Sequence, residues 1–137
     1  MARPLSSYAP GEMLPSLELP PLTRHMLALY CGGSGDHNPL HTDIDFAREA
    51  GHLPDVIGHG MLSMALAARL LTDLAPPEAL RAFEVRFVGM THIHEALTVE
   101  GVVEERLAGS GRVKIAIKVL APEGRLILNG QAIIDTP

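Results

Sequence analysis

A chain of 137 residues has room for one hydrophobic core and little else, so a single domain over residues 1–137 is expected. Hydrophobic residues at 47% and charged ones at 20% are ordinary for a globular protein, while aromatics at only 4% predict an aliphatic core. A net charge of −5 with scattered Lys and Arg gives no continuous basic patch; this argues against nucleic acid or an anionic membrane surface and favours a small neutral or carrier-linked substrate.

From the N-terminus, Met1 leads into Ala-Arg-Pro-Leu-Ser-Ser-Tyr rather than a basic stretch followed by an apolar one. With Cys31 as the sole cysteine and no disulfide possible within the chain, this predicts a cytoplasmic protein. Gly11 to Pro21 alternates weakly and ends in Pro20-Pro21, the pattern of a short edge strand and a break. Thr23 is placed to cap a short helix carrying Met26, Leu27, Leu29 and Tyr30, which Gly32-Gly33 should stop. Ser34 to His41 reads as a loop outside regular secondary structure: Gly35 permits unusual backbone angles, Asn38 favours turns, and Pro39 biases Asn38 away from the helical region. Asp43 or Asp45 then caps a helical turn from Phe46 to Ala50, ended by Gly51.

The stretch from Gly60 or Met61 to about Leu74 is apolar on nearly every side, as in a helix enclosed by other elements, and Pro76-Pro77 end it. Its apolar core, Met61 to Leu71, carries Ser63 and Arg69 and is too short to span a membrane. Downstream, Phe83/Val85/Phe87 alternate with Glu84/Arg86, and Val113/Ile115/Ile117/Val119 with Arg112/Lys114/Lys118, marking half-buried strands. Leu97 to Leu107 and Arg125 to Ile134 add two more, with Ala108-Gly109-Ser110-Gly111 and Ala121-Pro122-Glu123-Gly124 as hairpin turns. One enclosed helix followed by antiparallel strands predicts an α+β fold of the hot-dog type: a single curved antiparallel sheet wrapped around one long central helix. Such a sheet leaves edges to cover, and a two-fold dimer with the substrate cleft near the subunit boundary is the expected cover.

The chemistry concentrates in Ser34-Gly35-Asp36-His37-Asn38-Pro39-Leu40-His41, where a carboxylate and an imidazole stand five residues apart. On a helix or a strand the two would face different ways, but a loop folds them toward each other. Asp36 and His41 are therefore the candidate acid/base pair. Asn38 reads as a turn residue whose amide ties the loop together, with Ser34 and Gly35 as further loop support. Spacing alone favours a turn-capping Asp36 and an ordinary hydrogen-bonded His41; the surrounding motif reverses that and turns the reading toward catalysis.

That motif, Tyr30-Cys-Gly-Gly-Ser-Gly-Asp36-His-Asn-Pro-Leu-His41-Thr-Asp43, followed by Phe46-Ala47 and Gly58-His59-Gly60-Met61-Leu62, resembles the MaoC-like (R)-specific enoyl-CoA hydratase/dehydratase family. The resemblance is close from Thr23 to Leu71 and rests on strand layout beyond. It implies reversible hydration of trans-2-enoyl thioesters to (3R)-3-hydroxyacyl thioesters, with the substrate on coenzyme A or an acyl-carrier protein and no further cofactor. The motif is similar to that of the hydroxyacyl-carrier dehydratase subunits, which implies a homodimer, or a heterodimer with a related hot-dog subunit. One departure concerns a serine that some bacterial members carry along the central helix, where this chain has Ala68; Ser63 lies elsewhere on that helix and does not inherit the role.

The residues support the same chemistry directly. Adding water across an activated C=C bond needs a group that holds and deprotonates the water, a proton source for C2, and donors for the oxygen that becomes enolate-like. Asp36 and His41 supply the first two, with the formal base left open between them. Backbone N–H groups at the start of the central helix, Gly60 above all, are the candidate oxyanion hole. His59 and Met61 beside it are candidate substrate-binding residues, His59 reading also as a buried hydrogen-bonding residue that shapes the helix start. No metal is required, and Asp36, His37, His41, Asp43 and Asp45 lack a recognised ligand spacing. His92 and His94, two apart on an expected strand, read as a solvated edge, and Cys31 as a small buried thiol. Two alternatives compete: a hot-dog acyl thioesterase, whose carboxylate activates water against the thioester carbonyl, and a non-catalytic acyl-binding subunit of a heterodimeric dehydratase.

Overall fold

The computed structural model describes residues 3–136; Met1 and Ala2, on which part of the leader reading falls, lie outside them with Pro137. The runs of alternating aliphatic and polar residues become strands β1 (Leu17–Glu18), β2 (Leu80–Phe87), β3 (Thr98–Leu107), β4 (Arg112–Ala121) and β5 (Arg125–Asp135). They form one antiparallel sheet in the order β1-β3-β4-β5-β2, which leaves β2 and the short β1 as edges. Alternation sends Val99 and Val103, Val113, Ile115, Ile117 and Val119, and Ala132 and Ile134 to one buried face. The opposite face carries charge, including a cross-strand pair between Lys118 and Glu100 at 3.2 Å.

Onto the aliphatic face packs α3 (Gly60–Thr72) through Ser63, Ala67, Leu70 and Leu71. Gly101 marks the close approach: a Cβ there would stand 3.1 Å from side-chain carbons of Leu14 and Leu70. The helix stops at Thr72, slightly short of the expected Leu74, and this chain does not enclose it. Met61 and Ala65 stay exposed and Ala68 half-buried, because a single sheet covers one side of a helix only.

Two shorter helices precede α3. Thr23 Oγ1 accepts from Met26 N at 3.1 Å and starts α1 (Arg24–Ser34) as expected, but the helix runs through Gly32-Gly33 instead of stopping there. Glycine costs about 1 kcal/mol relative to alanine in a helix yet does not end one; the stop needs a left-handed residue, and Gly35 supplies it at φ 78° with its N–H bonded to Cys31 O. Asp43, not Asp45, caps α2 (Ile44–Glu49). His92 and His94 sit in the connection between β2 and β3 rather than on a strand, His94 at φ 68°. Among the described residues no helix is long and apolar enough to cross a membrane.

Candidate active site

Three short polar side chains build the loop after α1. The Ser34 hydroxyl donates to Tyr30 O at 2.6 Å and accepts from Asp36 N at 3.1 Å. Asp36 Oδ1 accepts from Asn38 N at 3.3 Å, and Asn38 Oδ1 accepts from Leu40 N at 3.0 Å. Each reaches two residues along the chain, the local hydrogen bonding that makes Ser, Asp and Asn turn formers. Residues Pro39–His41, expected as open loop, form one turn of 3-10 helix started by Asn38. This folding returns His41 to Asp36, with Asp36 Oδ2 3.8 Å from His41 Nε2. Asp36 Oδ1 is occupied by the turn, so Oδ2 is the oxygen left facing the imidazole.

His41 is 9% exposed and held from behind, its Nδ1 lying 2.7 Å from Ile57 O. A carbonyl only accepts, so Nδ1 carries the proton and Nε2 presents its lone pair toward Asp36. Ile57 is itself clamped. Its N–H donates to Leu40 O at 3.1 Å, it bridges His92, and Gly58 N donates to Thr91 O at 2.8 Å. Arg125 locks that second segment by donating to Met90 O and to the Glu95 carboxylate, which in turn accepts from His92 N. Ile57, Thr91, Glu95 and Arg125 carried no signal in the sequence, since the group that orients His41 is a main-chain carbonyl that any residue provides.

At the other end of the same segment, Arg24 on α1 grips Asp55 through two parallel bonds of 2.8 and 2.7 Å. The Arg24 guanidinium holds the Asp55 carboxyl down from 3.8 to about 2. A carboxyl depressed in the folded state stabilises above its unfolded value and loses that contribution as pH falls through the folded one. Arg24→Gln is therefore expected to melt below the wild type at neutral pH, with the gap closing as pH drops from about 3.8 to about 2. Thermal melts of both proteins across that range, with the Asp55 carboxyl resonance followed by NMR, measure it.

Gly60 opens α3 with no side-chain cap from His59, so the first N–H groups of the helix have no acceptor within it. A Cβ at Gly60 would touch the Phe87 ring at 3.4 Å, an ordinary contact, so Phe87 alone does not demand glycine there. Met61, an expected substrate contact, is 56% exposed on the first turn of α3. Of the two readings of His59, the structure fits the buried hydrogen-bonding one: the residue is 1% exposed, with its ring stacked on that of His41. Donor atoms of Asp36, His41 and His59 lie within 4.8 Å of one another. The two imidazoles, however, stack at 3.7 Å with planes 23° apart, and their in-plane lone pairs do not converge. Cys31 is buried, as expected.

A five-stranded antiparallel sheet packed on one central helix, with an Asp/His pair at that helix's N-terminus, defines a protein of the hot-dog fold. The family description "MaoC like domain" matches residues 9–123, and the chain belongs to that family. It is similar to the solved (R)-hydratase PhaJ1 of Pseudomonas aeruginosa, with a TM-score of 0.85 and 28% identity over 99% of this chain and 86% of that one. Enoyl-CoA hydratase ChsH3 of Mycobacterium tuberculosis is 28% identical over 96% of this chain, which spans 45% of it. The fatty acid synthase beta subunit pkiC of Emericella nidulans is 34% identical over 93% of this chain, which spans 7% of that protein. The chain thus covers under half the length of these curated relatives.

Proposed function

We propose that the protein is a hydro-lyase that adds water to trans-2-enoyl thioesters to give (3R)-3-hydroxyacyl thioesters, and runs the reverse dehydration. The observation that carries this is the facing of two bare acceptors, Asp36 Oδ2 and His41 Nε2, at 3.8 Å beside the uncapped start of α3. One water, about 2.8 Å from each, donates a proton to both and presents its oxygen lone pair outward. Attack of that oxygen on C3 breaks the C2=C3 π bond and moves its electrons toward the thioester carbonyl. The enolate-like oxygen accepts from Gly60 N–H, at the positive end of the helix dipole. The proton taken by the pair returns to C2, so water is consumed whole and no thiol is released.

The chemistry of this donor set needs no cofactor beyond the coenzyme A or carrier handle of the substrate. Asp36 serves as a proton acceptor, and the stacked imidazoles do not form a chelate. A second copy of the chain completes the site in this reading. It covers the exposed stripe Met61, Ala65 and Ala68 of α3, and the free edge β2 with Phe87 at 45% exposure.

Crotonyl-coenzyme A tests the reading in one cuvette. Loss of the conjugated enoyl absorbance without release of free thiol, at a rate unchanged by a chelator, is the expected result. Thiol release without hydration would replace the lyase assignment with a thioesterase, and neither reaction would leave a non-catalytic acyl-binding subunit.

A further inference from the structure

His59 plays no part in the reaction just described, yet it touches both members of the pair that does. Its ring lies against the His41 ring at 3.7 Å, and the edge of Tyr30 closes the far side at 4.6 Å with planes 64° apart. Its Nε2 stands 3.3 Å from Asp36 O and 3.4 Å from Cys31 Sγ. Since Asp36 O accepts only, Nε2 carries the proton and is shared between that carbonyl and the sulfur. Nδ1 is then a bare lone pair, and it is buried with no hydrogen-bond partner among the described residues. Adding a proton there would bury both a charge and an unmatched donor. Burial first, then the nearness of His41, pushes the His59 imidazole below the ordinary histidine value, with the Asp36 main chain and carboxylate opposing.

We propose that His59 is a positioning residue for the catalytic pair: its N–H edge pins the Asp36 main chain while its face pins the His41 ring, and so sets the gap that holds the water. The inference rests on the acid/base reading of Asp36 and His41. An aliphatic residue of similar bulk would fill the space but would leave Asp36 O without this donor and give His41 no flat surface. Because His59 sits at N-cap of α3, it also ties the pair to the helix start that presents Gly60. The same residue therefore spaces the water-binding groups and the oxyanion donor relative to each other, the kind of rigid support that keeps a catalytic constellation within tolerance.

The test uses the full chain labelled with 15N-histidine. In the wild type, His41 is expected in the Nδ1–H form and His59 in the opposite Nε2–H form at neutral pH, a readout that needs no substrate. Two variants then separate the halves of the role. H59Q keeps an amide N–H for Asp36 O but removes the ring; H59F keeps a flat face but removes the N–H. Each is expected to fold, to lower kcat on crotonyl-coenzyme A about tenfold with KM within about twofold, and to shift the His41 resonances toward a mixed tautomer. A wild-type His59 in the Nδ1–H or charged form overturns the proposal, even if neither variant folds. So do folded variants with wild-type kcat and an unaltered His41 spectrum. If instead the wild-type tautomers are as expected but no enoyl hydration occurs, the function reading fails while the placement of His59 stands.

Discussion

Asp36→Asn is expected to lower the turnover of enoyl hydration by at least about 10²-fold while the folded structure persists. The substitution separates the two jobs of this side chain. Asp36 Oδ1 holds the loop by accepting from Asn38 N, and an amide oxygen does the same at the same place. Oδ2 faces His41 Nε2 across the proposed water position, and there the amide puts an N–H donor where an acceptor stood. A water between them then loses one of its two acceptors. The amide also bonds the lone pair of Nε2 when it swings inward, closing the gap altogether. Melting temperature and far-ultraviolet circular dichroism check that the loop change is local, and steady-state kinetics on crotonyl-coenzyme A give the loss. Because the charge, not the shape, is removed, the effect belongs in kcat with KM little changed. Asp36→Asn with wild-type turnover would make the loop a structural element and leave the water without a partner. Replacement of His41 by Asn should be equally severe and not additive with Asp36→Asn, since in the proposed reaction the two acceptors serve one water.

What the sequence disclosed about this site, and what it hid, follows the range of the interactions involved. Strands β3, β4 and β5 and the start of α3 were legible because period-two alternation and glycine or proline punctuation are written in neighbouring residues. The Asp36/His41 pair was legible for a related reason. Ser34, Asp36 and Asn38 act two residues along the chain, so the turn that joins the pair is a local construction. The error at Gly32-Gly33 came from treating glycine as a stop, when only the left-handed angle at Gly35 ends α1. The Ile57 carbonyl behind His41 and the stacking of His59 depend on segments that meet only after folding. Neither has a spacing to read. The motif at Gly58-His59-Gly60 drew attention to His59, and its burial at the helix start was among the readings; that it stacks on His41 is a property of the packed sheet and helix.

The incompletely covered α3 leads to the other large effect. Its buried stripe of Ser63, Ala67, Leu70 and Leu71 faces the sheet, while Met61, Ala65 and Ala68 line the other side at spacings of four and three residues. An apolar helix face left to water is unusual in a monomer, and here it adjoins Phe87, Val88 and Met90, which are 45%, 50% and 52% exposed at and just beyond the end of β2. Among the described residues the edge of β2 also has no strand along its outer side. A second copy related by a two-fold axis would satisfy both features at once. Ala65→Glu isolates this point, because glutamate is a good helix former and position 65 is exposed in the single chain. The folded protomer should accept it at little cost. In the dimer it would bury a carboxylate without a partner, which costs several kcal/mol and suffices to dissociate a micromolar complex. Sedimentation velocity at about 10 µM is therefore expected to show a dimer for the wild type and a monomer for Ala65→Glu, a shift in affinity of at least about 10²-fold. Activity should fall with dissociation and recover at high protein concentration, since Met61 and Phe87 at the mouth of the site lose their cover. A wild-type protein that turns over substrate as a monomer, or a variant that stays dimeric, would show that this face of α3 is open to water in the working enzyme.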